Sequence, residues 1–132
     1  MARILNVDDS PTQMLHVAKL LKKHQHEILT ARDGIEGVEV AQAERPDLIL
    51  MNKLMPNMNG FQATRQITKN PGTQHIPVIM NSAAVDEKDR IWAMRQGAKD
   101  FFETPLEETI LIEIVNRYLS KTIVDDHPVQ PG

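Results

Sequence analysis

The stretch Asp47-Leu48-Ile49-Leu50-Met51-Asn52-Lys53-Leu54-Met55-Pro56-Asn57-Met58-Asn59-Gly60 decides the fold. Its first part, Asp47 to Met51, is apolar at the four successive positions that follow Asp47, so both faces of the segment must be covered, as in a central strand of a parallel sheet. Pro56 and Gly60 then break the chain into a loop, and Asn59 is placed to cap a helix over Phe61–Asn70.

The same alternation extends in both directions. Upstream, Ala2–Val7 is a short apolar run that stops at Asp8-Asp9-Ser10-Pro11. Ser10 suits a helix cap and Pro11 a first helical position, and Met14, Leu15, Ala18 and Leu21 recur at helical spacing over about 11–24. Ile28–Ala31 is a second strand, and a helix over Ile35–Glu44 closes before Pro46. Downstream, Pro71-Gly72 ends the third helix before the run Ile76–Met80. A helix over Asp86–Gln96 has Gly97 behind it, Lys99–Phe102 is a fifth strand, and Glu107–Ser120 is the last helix. Ile110, Leu111, Ile114, Val115, Tyr118 and Leu119 give that helix its apolar stripe. Five β-α units with short connections predict an α/β doubly wound parallel sheet with helices on both faces. Residues 1–120 make one domain and 121–132 a polar, proline-bearing tail.

Composition narrows the function. The chain has 132 residues, 41% hydrophobic and 25% charged, enough for one buried core and too few for two full domains. It has no cysteine, which removes disulfides, thiolate metal sites and cysteine nucleophiles and agrees with a reducing compartment. No apolar window reaches the roughly 18 residues of a membrane span, and Asp8 and Asp9 come too early for a signal peptide, so the expected location is the cytoplasm. A net charge of −3 lacks the basic stripe that nucleic-acid binding requires.

In doubly wound sheets ligands bind outside the carboxyl ends of the strands. Those ends carry Asp8-Asp9, Asn52, Ser82 and, after strand five, Thr104-Pro105. Two carboxylates with neutral oxygens suit Mg²⁺; the plainer alternative is that the two acids only favour the N-terminus of the first helix.

Asp8-Asp9-Ser10-Pro11, the block Asp47 to Asn52 with Met55-Pro56-Asn57-Met58-Asn59-Gly60, Ile76-Pro77-Val78-Ile79-Met80-Asn81-Ser82-Ala83, and Gly97-Ala98-Lys99-Asp100-Phe101-Phe102 ending at Thr104-Pro105 together resemble the receiver domain of bacterial response regulators, over about residues 2–120. Gly60-Phe61-Gln62-Ala63-Thr64-Arg65-Gln66 and Arg95-Gln96-Gly97-Ala98 look most like the stand-alone, CheY-like receivers of the twitching-motility chemosensory system. The resemblance implies a flavodoxin-like, five-stranded sheet of order 2-1-3-4-5. It also implies Mg²⁺ on Asp8, Asp9 and the backbone carbonyl of Leu54, a switch hydroxyl at Ser82 and a switch aromatic at Phe101, whose burial would mark an active-like state.

Two positions depart from that pattern. The residue that should be the phosphoacceptor aspartate is Asn52, and the phosphoryl-binding lysine is Thr104. An amide nitrogen cannot form the acyl phosphate, and Thr104 deletes the cation that would meet the phosphoryl group. The expectation is a receiver-like signalling module of phosphorelay systems, not an enzyme, that works by protein contact with a histidine kinase, motor or adaptor. Asp to Asn at this position is both a natural degeneration and a laboratory lock, so a natural pseudo-receiver and an engineered phosphorylation-dead variant read alike. Mg²⁺ should bind weakly, with Asn52 supplying a neutral oxygen. Trp92 lies on the fourth helix, which in receivers belongs with Phe101 to the partner face. A monomer or weak dimer is expected. A second reading, from another class, is a Mg²⁺-dependent phosphate-ester enzyme or ligand-binding protein using Asp8 and Asp9; against it stand the missing glycine-rich loop, cap domain and basic rim residue.

Several residues carry smaller expectations. Thr104-Pro105-Leu106-Glu107 reads either as a capping box or, on the receiver pattern, as a cis bond followed by a later helix start, which is favoured. Asn6 and Asn81 interrupt buried strands and each needs a partner; with Asn52 and Thr104 they could form one polar cluster at the rim, against independent drift. Alternation turns Lys53 away from Asn52. His16, His24, His26, His75 and His127 show no metal spacing and read mostly as solvated surface. Met55 and Met58 could touch a partner from the rim loop.

Overall fold

The computed structural model describes residues 1–126. Five strands and five helices alternate: β1 Arg3–Val7, α1 Pro11–Lys23, β2 Glu27–Ala31, α2 Gly34–Glu44, β3 Leu48–Asn52, α3 Gly60–Lys69, β4 Val78–Ser82, α4 Glu87–Arg95, β5 Asp100–Glu103 and α5 Glu108–Asp126. All four strand pairings are parallel and the order is β2-β1-β3-β4-β5. The fold class read from the run at Asp47–Met51 therefore holds, and Leu48, Ile49, Leu50 and Met51 are all fully buried.

Period-2 alternation sorts these strands onto two cores. Leu5, Val7, Ile49, Met51, Val78, Met80 and Phe101 face α2, α3 and α4, while Ile4, Leu48, Leu50 and Ile79 face Val17 and Leu21 of α1 and Leu111, Ile114 and Val115 of α5. Local chemistry sets the helix starts. Ser10 Oγ accepts from the Gln13 amide with Pro11 in the first turn, and Asn59 and Gln62 form a reciprocal capping box at α3. Gly97, with φ +98°, follows the last turn of α4.

Some boundaries differ from the sequence reading. β4 starts at Val78, two residues late, because Pro77 has no N–H for the ladder and contributes only its carbonyl, which accepts from Ile49 N. Helix α5 runs to Asp126, six residues beyond the expected end at Ser120, since no glycine or proline interrupts the chain before Pro128. Leu15, placed on the apolar stripe of α1, is 57% exposed; Val17 and Leu21 carry the buried face instead. The Thr104-Pro105 bond is cis and α5 begins at Glu108, so the capping-box alternative fails.

Candidate functional site

The carboxyl edge of β1 and β3 builds the site. Asp8 follows β1 in a backbone held by Asp8 N to Ala31 O at 3.0 Å, and its Oδ1 accepts from Ser10 N at 2.9 Å. Asp8 is 5% exposed whereas Asp9 is exposed. Burial pushes the Asp8 carboxyl above the usual carboxylate range and the neighbouring Asp9 charge adds to this, against the amide hydrogen bonds from Ser10 and Asp9.

Asn52 closes β3 beside them. Its Nδ2 donates to the Leu54 carbonyl at 2.8 Å and lies 3.3 Å from Asp8 Oδ1 and 3.4 Å from Asp9 Oδ1. The loop from Lys53 to Gly60 is fixed behind it: Gly60 N donates to Lys53 O at 2.8 Å, and Lys53 N to Asn81 O at 2.9 Å. Asp8, Asp9, Asn52 and the Leu54 carbonyl are thus brought together as the sequence suggested. The side-chain oxygens fit a hard cation in kind. The orientation of Asn52 does not, because a nitrogen with its hydrogens, not an oxygen, faces the other donors. Among the described residues no group of three or more histidine, cysteine, aspartate or glutamate side chains is placed to hold a metal.

The remaining predicted positions lie on β4 and β5. Ser82 is buried at the end of β4, and its carbonyl accepts from Thr104 N at 2.9 Å. Phe101 is fully buried on the α3/α4 side, its ring 6.4 Å from that of Phe61 and tilted by 57°, so it lies beneath the face expected to meet a partner and presents no surface to one. Trp92 on α4 is 48% exposed, next to Ile91 at 47%.

The asparagine cluster does not form. Asn52 and Asn81 are ladder partners, yet among the described residues no hydrogen bond joins the side chains of Asn6, Asn52, Asn81 and Thr104. Asn6 instead donates to the Met14 thioether at 3.3 Å, a soft acceptor that α1 places against β1. Among the described residues no histidine belongs to a metal-holding group and His24 is exposed, whereas His16 and His26 are half-buried and hydrogen-bonded. His16 Nε2 donates to the Leu106 carbonyl at 2.6 Å, His24 Nε2 meets Glu108 at 2.9 Å, and His26 Nδ1 accepts from Ala2 N at 3.1 Å. His75 is exposed, and His127 lies outside the described residues. Sequence reasoning missed one interaction beside the site altogether: Lys53 Nζ is 2.8 Å from Asp89 Oδ2 on α4. The alternation that turns Lys53 away from Asn52 was legible, but its partner was not.

The response regulator receiver domain model matches residues 4–116. The chain belongs to that family. It is 48% identical over 120 residues to Protein PilH of Pseudomonas aeruginosa, covering 91% of this chain and 99% of that protein. It is similar to the signal receiver domain of a signal transduction histidine kinase from Syntrophus aciditrophicus, with TM-score 0.86 and 32% identity over 100% of this chain and 98% of that one. A receiver domain of a sensor histidine kinase from Pseudomonas aeruginosa PAO1, solved with a magnesium ion coordinated in its active-site cleft, matches with TM-score 0.84 and 28% identity, over 90% of this chain and 98% of that one. The receiver fold expected from the motifs is therefore the fold of this chain. No helix among the described residues is long and apolar enough to cross a membrane.

Proposed function

We propose that this receiver domain is a stand-alone, cytoplasmic signalling module that acts by protein contact and is not phosphorylated at position 52. One observation carries the reading: the residue at the end of β3, where the receiver pattern has its phosphoacceptor, is Asn52, with its amide nitrogen turned to Asp8, Asp9 and the Leu54 carbonyl. An amide offers no carboxylate oxygen to attack phosphorus. Thr104, where the pattern has its lysine, adds no charge that would hold a phosphoryl group. The 99% coverage of PilH supports a module that works without an attached output domain.

The contact surface is the exposed apolar part of α4 and α5, where Ile91, Trp92, Met94 and Ile110 are between 39% and 50% exposed beside β5. A signalling protein, whether histidine kinase, motor or adaptor, is the partner, and nucleic acid and membrane are not. The buried Phe101 agrees with an active-like resting shape. The domain is a monomer or weak dimer and has no enzymatic turnover of its own. Mg²⁺ binds weakly, through Asp8, Asp9 and the Leu54 carbonyl, with the Asn52 oxygen joining only if its amide turns.

Intact mass after incubation with Mg²⁺ and a small-molecule phosphodonor tests the reading. The double revertant Asn52→Asp, Thr104→Lys gains one phosphate and the unaltered protein gains none. A phosphate on the unaltered protein would place the acceptor at Asp8, Asp9 or Ser82 and remove the proposal.

A further inference from the structure

Three oxygens surround the side-chain nitrogen of Asn52: the Leu54 carbonyl at 2.8 Å, Asp8 Oδ1 at 3.3 Å and Asp9 Oδ1 at 3.4 Å. They are the same protein oxygens that the receiver reading gives to a divalent cation. A carboxamide nitrogen has two N–H bonds, a partial positive charge and no acceptor capacity. Turned the other way, the amide would set its own oxygen against three acceptors with no hydrogen between them. The surrounding network therefore fixes the orientation of the amide, with nitrogen inward.

We propose that the Asn52 amide is a built-in occupant of the cation position: its NH₂ group holds the two carboxylates and the loop carbonyl together, and a divalent cation enters only by displacing it. The proposal rests on Asp8, Asp9 and Leu54 being the cation ligands of this receiver. It assigns weak metal binding to two separable causes. One is the missing third carboxylate. The other is competition, since an entering ion must break the contacts of Nδ2 before it meets the oxygens. Asp8 gives the competition its force: the Oδ1 of this almost fully buried residue takes the Ser10 N–H at 2.9 Å, and the Asn52 N–H at 3.3 Å is a second donor that an entering ion must displace. The rim is then held in a filled arrangement that depends on neither metal nor phosphate, which suits a module that signals through a constant contact face.

The two causes predict opposite signs for one substitution. Asn52→Ala removes a neutral ligand and removes the occupant. If Asn52 were simply a poor ligand, the alanine variant would bind cation no better than the unaltered protein. If Asn52 is the occupant, loss of its hydrogen bonding makes binding about three- to tenfold tighter, the range that one ordinary hydrogen bond converts to. Titration of the full chain with Mn²⁺, followed by the electron paramagnetic resonance of the free ion, measures this. The expected order of affinity is Asn52→Asp, then Asn52→Ala, then the unaltered protein. An unaltered protein that binds as tightly as Asn52→Ala overturns the proposal. Failure of Asn52→Asp to bind Mn²⁺ would instead remove the ligand assignment on which it rests, and the proposal with it.

A measurement on the unaltered protein covers the case in which Asn52→Ala does not fold. The Asn52 side-chain NH₂ pair, assigned in a ¹H–¹⁵N spectrum by its disappearance in Asn52→Asp, should exchange slowly with water. It should also stay in place at a Mg²⁺ concentration that saturates Asn52→Asp. A pair in fast exchange, at the shift of a free amide, would overturn the proposal.

Discussion

Lys53 and Asp89 join the residue after Asn52 to the first turn of α4, with Nζ and Oδ2 2.8 Å apart and the two side chains only 17% and 20% exposed. The pair lies on the opposite face of β3 from Asn52, because alternation sends Met51 and Lys53 toward α3 and α4. Asp89 also sits where a negative charge suits the helix N-terminus. Trp92 lies one turn further along the same helix, so the ion pair links the edge of the site to the helix that carries the exposed apolar surface.

Lys53→Met leaves Asp89 without its cation in a setting between a surface pair and a buried one. The expected loss of stability is about 1–2 kcal/mol. A double-mutant cycle with Asp89→Asn, read by urea denaturation, should give a coupling of about 1 kcal/mol, and the Trp92 emission of Lys53→Met should shift. A coupling near zero would show that α4 is held by other contacts, chiefly Arg90, whose Nη1 donates to the Phe101 carbonyl at 2.7 Å.

Gly60 governs how closely α3 approaches the end of β3. A Cβ at this position would stand 2.1 Å from the Asn52 carbonyl oxygen and 3.0 Å from Lys53 Cα, both backbone atoms that cannot swing aside. Gly60→Ala should therefore cost about 1–3 kcal/mol by overpacking, although alanine favours helices. Placed in the Asn52→Asp, Thr104→Lys revertant, the same change should slow phosphate uptake by displacing the acceptor. Unchanged stability would mean that the loop between Lys53 and Gly60 yields freely.

Where the sequence was legible, the reason was local or patterned chemistry. An apolar run as short as Leu48–Met51, held between Pro46 and Pro56, reads as a strand covered on both faces, and the caps at Ser10 and Asn59 act within three residues of themselves. Strand order and the cis bond at Thr104-Pro105 came from the family resemblance, which periodicity alone does not supply. The rest depended on contacts distant in the chain. Nothing near Lys53 points to Asp89, and nothing near His16 points to the Leu106 carbonyl, 90 residues on. The orientation of the Asn52 amide follows from three oxygens that only the folded loop assembles. Asn6 and Asn81 misled for a related reason: shared depth at a sheet edge does not aim two side chains at each other.

Phe101 gives a direct test of the core on the α3/α4 side. It is fully buried and in ring contact with Phe61. Phe101→Ala should destabilise by about 3–5 kcal/mol, the usual loss for an aromatic truncated in a packed core. Phe61→Ala, at a partly buried ring, should cost less, and the two losses should not be additive, because each removes the partner of the other. Additive losses in urea denaturation would show that the ring pair contributes nothing beyond separate burial.

His26 should make stability depend on pH in the weakly acidic range. Its Nδ1 accepts a hydrogen bond from Ala2 N at 3.1 Å, which requires that nitrogen to be unprotonated. Burial lowers its pKa below the ordinary 6.5, and the positive amino group of Met1 and the neighbouring His24 act in the same direction. Below pH 6.5 the unfolded chain takes up a proton that the folded protein refuses, so the contribution of His26 is present above that pH and is lost as the pH falls through the folded value. His26→Asn keeps an acceptor near the same place and cannot titrate. Urea midpoints measured at about pH 5, 6, 7 and 8 should fall toward acid more steeply for the unaltered protein than for His26→Asn. Parallel curves would assign the acid sensitivity to other groups.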